Sequence, residues 1–149
     1  MRTVRVAISA AAVLVLWAGL AYDVSRPADE RAYHRTMVQV AAAAHDAAQA
    51  GRLIAEQERA QHVTGPYART AFDDAAKALA GAQKKFVSQA PPDDRTARLR
   101  DELRPLLAEE TIALGDASRA ADDGSLRSGA RRLADLAKRL DDLRTAWQQ

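Results

Sequence analysis

Three histidines, a series of adjacent acid pairs and six serines are the side chains in these 149 residues that could do chemistry. Histidines bind metal or move protons, paired carboxylates share a proton or a cation, and a serine beside a histidine can act as a nucleophile. Spacing argues against each. His34 and His45 are eleven residues apart, so on a helix they share a face but stand about 16 Å apart along its axis. They cannot chelate one ion, and His62 is farther still. Neither Glu-x-x-His nor His-Glu-x-x-His occurs, and with no cysteine there is no thiolate site, haem attachment or disulfide.

Asp73-Asp74, Asp93-Asp94, Glu109-Glu110, Asp122-Asp123 and Asp141-Asp142 are neighbours in sequence. Adjacent helical residues point about 100° apart, so such a pair is not a dyad. Asp93-Asp94 and Asp122-Asp123 fall where helices would start, which makes them caps. The others read as solvated faces. Asp122-Asp123-Gly124-Ser125 lacks the later ligands of a calcium loop. Ser9, Ser25, Ser88, Ser118, Ser125 and Ser128 have no histidine and acid nearby in sequence, and no glycine-rich phosphate cradle occurs. No residue is therefore assigned as catalytic, cofactor-binding or metal-ligating, no cofactor is expected, and the chain reads as a non-enzyme.

The elements that would position these residues begin with a leader. Arg2 and Arg5 precede an uncharged apolar run from Val6 to Tyr22, 17 residues long. Positive charge before such a run is an export signal, with the amino terminus held in the cytoplasm. The length is short for a membrane span and long for a signal core. Residues 1–22 are thus an anchor or a signal peptide, cleaved after Ala21 in the second case, and 23–28 form a linker. Residues 29–149 then lie outside the cell membrane, single-pass anchored or secreted. The chain has 22 basic and 20 acidic residues; Arg2 and Arg5 are the excess, leaving 20 of each from Tyr22 onward. The pI of about 9.2 comes from the leader and is no nucleic-acid footprint. Abundant alanine and a preference for Arg over Lys suit a GC-rich bacterial genome.

The exported part reads as helix: Ala, Leu, Arg, Glu and Gln dominate, and no period-two alternation occurs. Thr64-Gly65-Pro66, Ala90-Pro91-Pro92-Asp93-Asp94 and Asp122-Asp123-Gly124-Ser125 punctuate it. They predict helices near 29–62, 66–90, 94–123 and 125–147, forming an all-α, antiparallel up-down-up-down four-helix bundle behind the N-terminal hydrophobic helix. The apolar stripes run Tyr33, Met37, Val40, Ala44, Ala47, Gly51, Ile54; then Ala68, Phe72, Ala75, Leu79, Ala82, Phe86. The third is Leu99, Leu103, Leu106, Leu107, Ala113, Leu114, Ala117, and the fourth Leu126, Leu133, Leu136, Ala137, Leu140, Leu143, Trp147. A reversal at Gly65 would set Gly51 opposite Leu79, Ala44 opposite Phe86, Ala48 opposite Ala82 and Asp46 near Lys84. For the last two helices it would pair Asp116 with Arg132 and Glu109 with Arg139.

Pro105 removes one helical hydrogen bond and predicts a kink in the third helix, beside which a small ligand could enter. The segment Arg131–Leu140 is amphipathic, but the acidic residues Glu102, Glu109, Asp116 and Asp123, seven apart, account for its basic stripe. These features suit a helical protein that works by contact with an envelope protein or the membrane, without nucleic acid. The alternative is a small-ligand sensor or carrier signalling through a partner. In layout, a four-helix extracytoplasmic domain after one span resembles bacterial chemoreceptor sensor domains, although no second span or signalling region follows before Gln149.

Overall fold

The computed structural model describes residues 29–148, all of whose regular structure is helical. The leader 1–22 and the linker 23–28 lie outside the described residues. Four helices follow in order: α1 Glu30–Arg59, α2 Gly65–Ser88, α3 Asp94–Ser118 and α4 Asp123–Trp147. None of the four is long and apolar enough to cross a membrane.

The helix starts follow from side chains that replace missing backbone partners. Asp93 caps α3: its carboxylate accepts from the Thr96 N–H at 2.8 Å, while the Asp93 N–H donates back to Thr96 Oγ1 at 3.2 Å. Asp122 does the same for α4, accepting from the Ser125 N–H and Ser125 Oγ, each at 2.8 Å. At α2 the proline-containing first turn substitutes for a side-chain cap, since Pro66 lacks an N–H that would be orphaned there anyway.

The end of α1 departs from the sequence expectation. The helix stops at Arg59 rather than near 62, and the reversal belongs to Gln61, whose φ is 58°, not to Gly65. The His62 N–H donates to the Gln57 carbonyl at 2.9 Å and the Gln61 N–H to the Glu58 carbonyl at 3.0 Å. This is the paired arrangement that usually places glycine at the left-handed residue. A turn centred before Gly65 shifts the α1–α2 pairing by about two helical turns. Asp46 accordingly makes no ion pair with Lys84; its carboxylate lies 3.2 Å from His45 Nδ1. Ala43, Asp46, Ala47 and Ala50 instead share a groove with Ala71, Asp74, Ala75 and Ala78.

The core explains which helix organises the others. On α2 the buried residues are the six of the expected stripe: Ala68, Phe72, Ala75, Leu79, Ala82 and Phe86. On α1 a second row, Ala41, Ala48 and Ala55, is buried beside the expected one. With two rows covered, α1 packs on α2, α3 and α4 together. Gly51 does not seat Leu79. The nearest side chains to the position its Cβ would occupy are Leu114 of α3, in hard overlap, and Leu133 of α4, at 3.1 Å. The α3–α4 register is the expected one: Arg132 Nη1 lies 3.4 Å from Asp116 Oδ2, and Arg139 Nη1 lies 2.9 Å from Glu109 Oε2. Asp123 belongs to α4 and pairs instead with Arg59, at 2.8 Å. Pro105 is exposed and α3 is assigned continuously through it, so the missing bond falls on the wet side.

Two glycines make a matched test. Gly81 has open space around its missing Cβ, whereas Gly51 has none. Gly81→Ala should stabilise by up to about 1 kcal/mol, through helix propensity. Gly51→Ala should destabilise by about 1–3 kcal/mol despite the same propensity gain, because Leu114 must move. Urea unfolding followed by circular dichroism reads both; equal signs would contradict the packing. Gln61→Gly should add about 1 kcal/mol by removing the cost of a left-handed non-glycine residue, and a loss of stability in the same measurement would contradict the turn.

Candidate functional site

Each histidine makes a hydrogen bond within the fold. His34 Nε2 lies 3.0 Å from the Trp147 carbonyl and, donating to it, ties the start of α1 to the end of α4. His45 Nδ1 faces Asp46, and His62 Nδ1 lies 3.1 Å from Gln57 Oε1, at the turn. Among the described residues, no three His, Cys, Asp or Glu side chains gather closely enough to hold a metal ion.

The acid pair Glu109-Glu110 is divided by the helix. Glu109 points outward to Arg139 and to Arg132, whose Nε is 3.7 Å away. Glu110 points inward and is 0% exposed, contrary to the expectation of a solvated face. Neither of its carboxyl oxygens has a hydrogen-bond partner. The physical reason lies in the stripe: steps of four and three from Leu103 through Leu107 reach 110 before Leu114 and Ala117. The apolar series has a gap at that slot, and the gap was the legible signal. Burial pushes the Glu110 carboxyl up to about 8, with no neighbouring charge to offset it. At neutral pH it is therefore mostly the uncharged acid.

A second polar cluster lies where α1 and α3 begin and α2 and α4 end. Arg100 stacks over the Phe86 ring, 5.1 Å from its centroid, and donates through Nη1 to the Gln89 carbonyl at 2.9 Å. It thereby satisfies a carbonyl at the C-terminus of α2. Tyr33 of α1 is buried against the same guanidinium, and burial raises its hydroxyl above the ordinary phenol range. Tyr33 Oη, Arg100 Nε and Gln89 Oε1 are all buried without a partner. Beside this cluster opens a cleft of about 730 Å³, lined by Arg31, His34, Arg35, Arg95, Leu99 and Trp147 among others. The Trp147 indole N–H donates to Glu102 at 3.1 Å across its edge. Leu99, expected in the core, is only partly covered because it lines this opening.

The arrangement offers a buried proton-binding carboxyl and an arginine-lined cleft. Pro105, beside which a small ligand was expected, lines neither this cleft nor the alanine groove between α1 and α2. No family model, curated protein or solved structure matches the chain.

The Glu110 shift carries a sign that can be measured. Its folded pKa of about 8 lies above the ordinary 4.5, so the folded state holds the proton more tightly. The stability this confers is complete below the unfolded value and is lost as pH rises from about 4.5 through 8, amounting to about 3 kcal/mol by pH 7. Asp93 and Asp122 act in the opposite sense and in a different window. The Thr96 and Ser125 backbone N–H groups hold their carboxyls below the ordinary value. Their contribution is therefore lost only in stronger acid. Between pH 5 and 8 wild-type stability should fall, and Glu110→Leu should flatten that slope while raising stability at pH 8. A wild-type profile that is flat there, or a destabilised leucine variant at pH 8, would contradict a buried uncharged acid.

Proposed function

We propose that this protein is a non-enzymatic, extracytoplasmic helical bundle, anchored by its N-terminal apolar segment, that acts through contacts with envelope proteins or the membrane. The observation supporting it most is the sequence Arg2, Arg5, an uncharged run to Tyr22, and then a charged-surfaced helical domain beginning at Asp29. In this reading the four helices alternate in direction. The pairs His34–Trp147, Arg59–Asp123, Gln83–Thr111 and Glu109–Arg139 favour it, because rising numbers on one helix meet falling numbers on the next. Helices with short connections position surfaces rather than build a deep reactive cleft over flexible loops. A tether at one end suits a scaffold, adaptor or modulator.

The test is fractionation of a bacterium expressing the full chain, with protease digestion of spheroplasts and intact mass of the product. The unprocessed chain should stay with membranes through an alkaline wash, and external protease should remove the helices. A soluble product beginning at Tyr22 outside the cytoplasm would replace anchoring by secretion. An unprocessed soluble chain protected inside the cell would overturn the reading.

A further inference from the structure

We infer that the end of the bundle nearest the leader is a docking surface for anionic phospholipid headgroups, contacted through Arg31, Arg35, Arg95 and Arg98. The inference takes the membrane's position from the anchored reading above; its chemical content comes from the charges.

The described residues carry as many basic as acidic side chains, but not evenly along the helices. Residues 29–44, 77–106 and 136–148 make up the half where α1 and α3 begin and α2 and α4 end; they hold 12 basic and 8 acidic residues. Residues 45–76 and 107–135, the other half, hold 7 basic and 11 acidic ones. The described residues, neutral in sum, are therefore positive at the end where the leader joins them and negative at the other.

Ion pairing sharpens the contrast. Among the described residues, Arg31, Arg35, Lys84, Lys85, Arg98 and Arg100 of the first half have no carboxylate partner, against Arg69 and Arg131 in the second. Arg95 makes only a long contact, 3.6 Å to Glu30, and its side chain is 85% exposed. Arg31 and Arg35 stand one turn apart on α1, and Arg95 and Arg98 nearly so on α3, all within the first two turns. Two acids of the same rim cap helix starts, while Glu30 and Asp94 are exposed beside the arginines. Asp29 accepts from the Arg31 N–H at 3.4 Å, and Asp93 from Thr96. Three exposed guanidiniums, Arg31, Arg35 and Arg95, thus line a cleft together with Trp147 and Leu99, and the exposed Arg98 stands just under one turn beyond Arg95. Arginine and tryptophan are the pairing that suits a charged, half-apolar headgroup layer.

Chain length brings that rim within reach. The apolar run ends at Tyr22, and the six residues 23–28 span at most about 20 Å before Asp29, a lining residue of the cleft. Screening confines attraction between exposed charges to about 8 Å at physiological salt. A tether this short holds the positive end where small movements bring it into that range, and holds the negative end a helix length away.

Because the chain has no cysteine, a single one can be added and labelled cleanly. Full-length protein carrying an environment-sensitive dye at Gln148→Cys, or at Ala121→Cys on the far end, is placed in nanodiscs of phosphatidylcholine with or without phosphatidylglycerol, with a headgroup-borne quencher in both. Quenching at position 148 should be roughly two-fold or more greater in the anionic discs at about 0.15 M salt. The excess should vanish at high salt and in the Arg31→Glu, Arg35→Glu, Arg98→Glu variant, whose helicity is checked in parallel; position 121 should ignore lipid charge. Equal quenching at 148 in both discs would overturn the docking surface and leave this end free for an acidic protein. A chain that fails to enter neutral discs defeats the anchor instead. If that chain still floats with anionic vesicles in a salt-sensitive way, docking stands alone; if it does not, both fail.

Discussion

Close approach to α1 is the constraint on which the remaining packing depends. Its buried rows are mostly alanine, with Gly51 at the tightest point, where Leu114 and Leu133 meet the helix from two sides. Small side chains contribute little buried area each, so the gain comes from how near the larger residues of the other helices can come. Tyr33, Met37 and Val40 supply bulk at one end of α1, while Phe72, Leu79 and Phe86 supply it from α2. α1 can then touch all three neighbours, as α3 also does, while α2 needs only one apolar stripe. Gly129 repeats the device on α4, where a Cβ would come within 3.1 Å of the Ala117 Cβ.

Tight packing of that kind leaves polar groups in the interior with nowhere to go. Glu110 lies among the apolar positions of α3 with both oxygens unpartnered, and an ionised carboxylate there would carry its full desolvation cost. Arg100 shows the other outcome: half-buried, its guanidinium stacks over Phe86, and one nitrogen reaches a helix-terminal carbonyl. One group costs stability at neutral pH; the other joins three helices.

Much of this was legible in the sequence, and the failures share a cause. The α2 stripe was read residue by residue, and the α3–α4 ion pairs were read from a register set by a real turn between Ser118 and Asp123. The α1–α2 register was not legible, because Gly65-Pro66 carries the sequence signature of a reversal while Gln61 supplies the actual one. A left-handed glutamine carries no compositional signal. Ala41, Ala48 and Ala55 were missed for a related reason: alanine is indifferent between core and surface, so only tertiary contact reveals a second buried row. Glu110 was assigned by its charge rather than by its place in the four-three spacing. Leu99 and Trp147 were assigned by hydrophobicity, while their position at an open end leaves both partly exposed. The cleft itself joins residues from α1, α3 and α4, and no local pattern announces such a meeting.

The proposed role at the envelope needs only that the helices hold their relative positions while one end stays near the lipid. That requirement rests on Gly51 admitting Leu114. Nuclear Overhauser spectroscopy of the protein with methyl-labelled leucine tests it directly. Strong cross-peaks from the Gly51 Hα protons to the Leu114 methyls, with weaker ones to Leu133, are the result this packing requires. Cross-peaks to the Leu79 methyls in their place would mean that α1 faces α2 through its glycine, and the organisation around α1 would be wrong.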